Sequence, residues 1–334
     1  MEIKSENLIF FLLILFSIYC SLITGMSWDE PYVYELGRSR LRYLLSLGRH
    51  EYQFSIYSAN SSHFPGFYDT LSAFLAQMVP KKYEVNIHHL VNLFFSFSAI
   101  IGLSKISKIF FNKKISKIVF LVTILSPTFF GHMSINPKDA IVACSNIWAT
   151  YFVIRYLQTF SSNIKRKHYS TMIGVSIALG IGVRTISIFT FLPIFILFIL
   201  DAFWLRILSS KKISISIFFK DFIKVFLISY FLLVIFWPDV HSNIFILPFK
   251  LIIASISDST FGTSWGLLNG EFYQTINTPH SYLILNLFYR LPEYILITYT
   301  LFIFLFFKDH KFFAEHFSFF NKKISYILFI ISFP

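Results

Sequence analysis

The residues of this chain best suited to chemistry are carboxylates that stand near aromatic rings and basic groups. Trp28-Asp29-Glu30-Pro31 places two acids in a row just after an apolar run. A carboxylate there can take a proton from an acceptor hydroxyl or amine as a general base, or hold a divalent cation through its oxygens. The plainer reading is an acid pair at the start of a helix opened by Pro31. Asn136-Pro137-Lys138-Asp139 is a second such place. Asp139 either caps the next helix or points toward Asp29 on the same face, sharing a cation or orienting a base. Arg184, in Gly180-Ile181-Gly182-Val183-Arg184-Thr185, stands where an apolar segment ends. A charge at that depth is costly and usually functional, so contact with a lipid phosphate is favoured over snorkelling. The glycines beside it permit close approach of another helix or of a lipid chain.

Further candidates surround these. Residues 31–47 carry Val33, Leu36, Leu41, Leu44 and Leu45 on one stripe and Arg38, Arg42 and Arg49 on the opposite one, the pattern of an amphipathic helix lying on a bilayer. Its arginines either meet solvent and headgroups or clamp a phosphate, whose oxygens match the guanidinium fork. His63-Phe64-Pro65-Gly66 follows. A later stretch holds Trp237-Pro238-Asp239-Val240-His241, Phe261-Gly262-Thr263-Ser264-Trp265-Gly266 and Glu271-Phe272-Tyr273. Aromatic rings beside glycine and acids line sugar sites, and the same residues suit an interfacial aromatic belt. His63, Trp265 and Glu271 are the candidate substrate-lining residues. No HExxH spacing marks a zinc hydrolase. Phosphate-loop and dinucleotide glycine motifs are also missing, so no nucleotide cofactor is expected. A divalent metal ion held by Asp29 and Asp139 stays open.

The elements that position these groups follow from composition. Of 334 residues, 55% are hydrophobic and 14% charged, where a soluble domain carries about a quarter charged. This excludes a soluble globular enzyme, a disordered chain and a collagen-like one. The expected fold is an all-α polytopic membrane protein forming a single domain over 1–334. Spans are expected near 8–25, 86–103, 118–133, 140–157, 171–184, 186–200, 225–237, 283–307 and 324–334, eight or nine helices in all. The last run, about 11 residues, is too short to cross and reads as if further helices follow. The net charge of +12 would point to nucleic acid in a soluble chain. Here the lysines and arginines gather around 105–117, 165–167, 206–224 and 308–323, which the positive-inside rule makes the inner side. Eleven of the 17 acids fall on the outer side, Asp139 and Glu293 among them and the other nine in two large outer loops, 26–85 and 238–282. Acids do little to set topology, so a site on the outer face explains their clustering. Cys20 and Cys144 both fall in apolar runs and imply no disulfide framework.

The motifs also occur in a familiar order. A first helix precedes Trp28-Asp29-Glu30-Pro31-Tyr32 and an amphipathic arm, then His63-Phe64-Pro65-Gly66. Ser134-Ile135-Asn136-Pro137-Lys138-Asp139 follows, before a helix ending Tyr151-Phe152-Val153-Ile154-Arg155-Tyr156, and then the Gly-x-Gly-x-Arg-Thr segment. This resembles the membrane glycosyltransferases of the GT-C fold, in particular the superfamily of protein O-mannosyltransferases and aminoarabinose transferases, over roughly residues 8–300. The resemblance implies a GT-C-like helical bundle, with interfacial helices in the first outer loop. It implies a hexosyl- or pentosyl-transferase that moves a sugar from a polyprenyl-phosphate donor to a lipid, glycan or protein acceptor. It implies a bacterial inner membrane with the reaction on the periplasmic face. The family's first-loop acid maps onto Asp29, with Glu30 beside it, and its later loop acid onto Asp139. The basic groups that hold donor phosphate map onto Arg184, with Arg38 and Arg42 as further candidates. Where some relatives carry Pro-Pro after a basic residue, this chain has His63-Phe64-Pro65-Gly66, so no lysine is available there. A polytopic transporter or lipid flippase is the alternative. It calls for charges at mid-membrane and paired broken helices in two repeats, whereas the charges here sit at the membrane edges and no repeat is visible.

Overall fold

The computed structural model describes residues 5–50, 61–206, 208–209, 213–257, 265–274, 277–309 and 311. Its elements are α1 (Ser5–Ile23), α2 (Glu30–Leu45), α3 (Phe67–Ala76), α4 (Glu84–Phe110), α5 (Lys113–Ile124), α6 (Pro127–His132), α7 (Asp139–Gln158), α8 (Asn163–Ile181), α9 (Leu192–Leu200), α10 (Ile215–Ile235), α11 (Leu247–Ser257), α12 (Tyr282–Arg290) and α13 (Glu293–Lys308). One antiparallel hairpin, β1 (Trp265–Leu268) and β2 (Glu271–Gln274), interrupts the helices. Its two-residue turn is Asn269-Gly270, both with positive φ, the pair that a tight hairpin favours. The chain is therefore helical as expected, with this small sheet added between α11 and α12.

Three helical stretches are long and apolar enough to cross a membrane: Lys81–Phe110, Asp139–Gln158 and Thr185–Trp204. A fourth is reached only if α12 and α13, bent by 113° at their junction, count as one span. This corrects the expected eight or nine, and each shortfall has a local cause. The expected span at 118–133 is broken into α5 and α6 because Ser126, held extended before Pro127 (φ −65°, ψ 118°), cannot continue the helix. α8 begins eight residues before the expected 171 and takes in Lys165, Arg166 and Lys167. α10 is 21 residues long but contains Lys220, Asp221 and Lys224. The apolar part of α1, Leu8–Ile23, is short. The expected span at 324–334 lies outside the described residues.

Two buried clusters position the site. Val33 and Tyr34 of α2 pack with Tyr68 of α3, Val91, Phe95 and Ala99 of α4, Ile141 and Cys144 of α7, and Val183. A larger cluster joins α7, α8, α9 and α10 and reaches Trp237 and Val240. Gly180 lets α8 approach α7 closely, since a side-chain carbon there would lie 2.9 Å from the Phe191 ring and closer still to the Ser145 hydroxyl. At Gly180, the approach made possible is thus by the protein's own helix. The first-loop helices α2 and α3 are in this way fastened to the same α4–α7–α8 core that carries Asp139 and Arg184.

Candidate functional site

Four segments far apart in sequence meet at one end of this core. The Thr185 hydroxyl donates to the His63 carbonyl at 2.9 Å, and the Phe67 N–H donates to the Gly182 carbonyl at 2.8 Å. These two bonds tie His63-Phe64-Pro65-Gly66 to the Gly-x-Gly-x-Arg-Thr turn. The Lys138 ammonium lies 4.4 Å from the centre of the Phe64 ring, which draws the Asn136–Asp139 turn to the same place through a cation–π contact. The fully buried Trp237 donates its indole N–H to the Ser62 carbonyl at 2.9 Å, which adds the start of the second loop.

At the surface of this junction Arg184 Nη1 donates to Asp139 Oδ1 at 2.6 Å, and both side chains are well exposed to solvent. Asn136 prepares the turn: its Oδ1 accepts from the Asp139 N–H at 2.9 Å and its Nδ2 donates to Asp139 Oδ2 at 3.3 Å. Asp139 is therefore not the cap of α7; it is the first helical residue, and its carboxylate is turned toward Arg184. The expected catalytic acid and the expected phosphate-binding arginine form one pair.

Beneath the junction lies Arg40, with 0% of its surface exposed. Its guanidinium donates to Asp69 Oδ2 at 2.7 Å and to the Phe64 carbonyl, and reaches Asp239 Oδ2 at 3.9 Å. Neither Asp239 oxygen has a hydrogen-bond partner among the described residues. Burial pushes both carboxyls above the usual carboxylate range, against the pull of the Arg40 charge between them. Two buried acids thus share one cation, and that cation orders the backbone of the His63–Gly66 turn. Sequence reasoning passed over Arg40, Asp69 and Asp239 as a group. The signal was present in α2: Arg40 stands four residues after Leu36 and seven after Val33, on the apolar stripe rather than the arginine stripe.

Asp29 and Glu30 separate. Asp29 is exposed, and among the described residues its carboxylate makes no ion pair or hydrogen bond. Glu30 is buried, ion-paired to His89 Nε2 at 2.9 Å and accepting from the Ser27 N–H. Burial pushes the Glu30 carboxyl up, and the imidazole and the N–H outweigh it, so the group is held below the usual carboxylate range. The far side of the His89 ring meets the Ser21 carbonyl at 3.1 Å, which links α1, α2 and α4.

Other expected residues lie apart from the junction. Arg38 is bound to Glu84 at 2.7 Å, joining α2 to the start of α4. Arg42 is exposed on the opposite side of α2 from the buried stripe. Trp265 and Glu271 are exposed on the β1–β2 hairpin, and no hydrogen bond, ion pair or ring contact among the described residues joins them to the junction. Phe261, Gly262, Thr263 and Ser264 fall outside the described residues. The structure does not bring Asp29 into contact with Asp139. Among the described residues no three His, Cys, Asp or Glu side chains gather so as to hold a metal ion. Cys20 and Cys144 are free. No protein-family model matches this chain, and no curated protein matches it significantly.

Proposed function

We propose that the junction is the reaction centre of a membrane glycosyltransferase that uses a polyprenyl-phosphate-linked sugar and works on the outer face of the membrane. The observation that supports this reading is the meeting of His63–Gly66, Asn136–Asp139, Gly182–Thr185 and Trp237–Asp239 around an exposed carboxylate–guanidinium pair. A lipid-linked glycosyl phosphate is already activated, so the chemistry needs only charge and a base. Arg184 makes one bond to Asp139, and the rest of its fork is open among the described residues, so it can receive the phosphate oxygens. The acceptor hydroxyl attacks the anomeric carbon as the bond from that carbon to the phosphate oxygen breaks. Negative charge grows on the departing phosphate, where Arg184 stabilises it. The hydroxyl proton passes to a carboxylate. Asp139 stands at the junction, and the exposed, unengaged Asp29, which no contact among the described residues joins to it, is the candidate the sequence offers. One displacement inverts the anomeric centre.

The test is transfer of label from a panel of polyprenyl-phosphate sugars in membranes holding the full chain. Asp29→Asn is expected to lower transfer by roughly 10²–10⁴-fold with membrane insertion unchanged. Arg184→Gln is expected to lower it by about 10²-fold or more. Full transfer by both variants, or no label moved by the unmodified chain from any donor, would sink the proposal.

A further inference from the structure

The end of α4 away from the junction carries a second, differently built surface. α4 is 27 residues long, so its two ends lie about 40 Å apart. Lys105 and Lys108 stand in its last turns, and Lys113, Lys114 and Lys117 open α5 after a two-residue link. The hairpin is fixed by the Ser116 hydroxyl, which donates to the Ser104 carbonyl at 2.7 Å, and by Asn112, which caps α5 by accepting from the Ile115 N–H at 3.0 Å. No Asp or Glu occurs from residue 85 to residue 138. Lys105, Lys108, Lys113 and Lys114 are exposed and pair with no acid among the described residues.

The surroundings of these charges suit a lipid headgroup above an apolar flank. The Lys105 ammonium lies 5.0 Å from the Trp148 ring and 5.7 Å from the Tyr151 ring, a cation–π contact that holds it against α7. Toward the middle of the same two helices the surface turns apolar, with Ile101, Ile118 and Val122 exposed. The basic rim continues across the neighbouring helices: Arg155 covers the Tyr169 ring at 5.8 Å, and the Lys224 ammonium donates to the Lys167 carbonyl at 2.7 Å. Two acids in that region are already engaged: Asp221 is held by Arg166 at 2.8 Å and by the Tyr156 hydroxyl at 2.9 Å, and Asp201 accepts from the Leu208 and Ser209 N–H groups at 3.0 Å.

We propose that the α4–α5 hairpin is a docking surface for anionic phospholipid headgroups. Cations at the boundary with exposed apolar side chains just below them match a lipid, whose phosphate sits above its acyl chains. A soluble polyanion would not use that apolar flank. Clusters of four to eight lysines and arginines at this level attract anionic lipid through the surface potential. The inference stands independently of the glycosyltransferase reading.

The experiment titrates the purified full chain with phosphatidylglycerol or phosphatidylcholine of the same acyl chains and counts bound lipids by native mass spectrometry. The unmodified chain is expected to prefer phosphatidylglycerol by roughly tenfold, and the preference is expected to shrink at high salt as screening shortens. Lys113→Gln/Lys114→Gln is expected to bring the two lipids close to parity. Lys81→Gln/Lys82→Gln, which removes the same charge at the opposite end of α4, is expected to leave the preference intact. Lys113→Arg/Lys114→Arg is expected to retain it as well. The proposal is overturned if the unmodified chain shows no preference, if both Gln pairs lower it equally, or if heparin binds the hairpin in preference to lipid.

Discussion

Replacing Gly66 by alanine tests whether buried Arg40 organises the junction. Gly66 has φ 90° and ψ 24° immediately before α3. A side-chain carbon there would lie 2.5 Å from Cδ of Arg40 and 2.6 Å from Cζ, with Nη1 nearer still. Arg40 cannot swing aside, because it is fully buried and held by Asp69 and by the Phe64 carbonyl. The methyl group therefore has two costs. A left-handed backbone costs a non-glycine residue about 1–2 kcal/mol. Displacing the guanidinium leaves Asp69 and Asp239 buried without a counter-charge, and breaking a buried ion pair costs about 3–5 kcal/mol. The reduced freedom of the unfolded chain returns less than about 1 kcal/mol. The net loss is about 4 kcal/mol, a large part of the roughly 5–15 kcal/mol that holds a folded protein together. Gly48 supplies the control: its φ is 81°, but a side-chain carbon there would lie 3.3 Å from the Tyr43 hydroxyl at an exposed turn. Gly48→Ala should thus cost only the backbone term, about 1 kcal/mol. In thermal unfolding of the purified protein, at roughly 2 °C per kcal/mol, the expected falls in Tm are about 8 °C and about 2 °C. Equal falls for the two variants would refute the claim that Arg40 fixes this turn.

Other outcomes follow from the same charges. The Asp239 carboxyl is raised by burial, so it favours folding in its protonated form; that contribution is complete below the unfolded pKa and is lost as pH rises through the raised folded value. Asp239→Asn should therefore flatten the decline of Tm as pH rises, leaving the slope due to Asp69. An unchanged pH profile would show that Asp239 ionises freely. Glu30 runs the other way: its depressed pKa stabilises the fold above the unfolded value and is lost as pH falls through the folded one. His89→Leu, which strands the buried Glu30 carboxylate, should cost about 3–5 kcal/mol. Arg38→Gln, which breaks the half-exposed pair with Glu84, should cost less than about 1 kcal/mol. Comparable Tm values for these two variants would mean that burial does not set the difference.

Where composition alone decides an element, the sequence was readable. The segments at 86–103 and 140–157 lie inside helices that are long and apolar enough to cross a membrane. The expected separation of 171–184 from 186–200 is present as a break, with Arg184 extended at φ −146°, but of the two only Thr185–Trp204 is long and apolar enough to cross a membrane. Hydropathy failed where backbone rules compete with it. Pro127 lacks the N–H a helix needs, whatever the polarity of its neighbours. Lys165, Arg166 and Lys167 are good helix formers, so α8 runs through a stretch that a hydropathy count excludes. The Asn269-Gly270 turn could have been read from its dipeptide, but it lies in a loop judged by its aromatic residues.

The site was half legible for a related reason. A sequence shows which residues are neighbours along the chain, whereas burial is set by direction. Asp29 and Glu30 read as a pair of acids, yet consecutive helical residues point about 100° apart. At the start of α2 one direction leads to solvent and the other into the α1–α4 contact, where His89 waits. The two carboxylates therefore take different work. Asp29 keeps the freedom a base needs, while Glu30 is spent on an ion pair. Asp29→Asn should leave Tm within about 0.5 kcal/mol of the unmodified protein, as surface changes do, and should remove most sugar transfer. Glu30→Gln should lower Tm by the equivalent of about 3 kcal/mol, and the fraction still folded should keep its rate per molecule. The separation is lost if Glu30→Gln is stable and inactive, which would place the proton acceptor at Glu30, or if Asp29→Asn unfolds the chain, which would make Asp29 a structural helix-start residue.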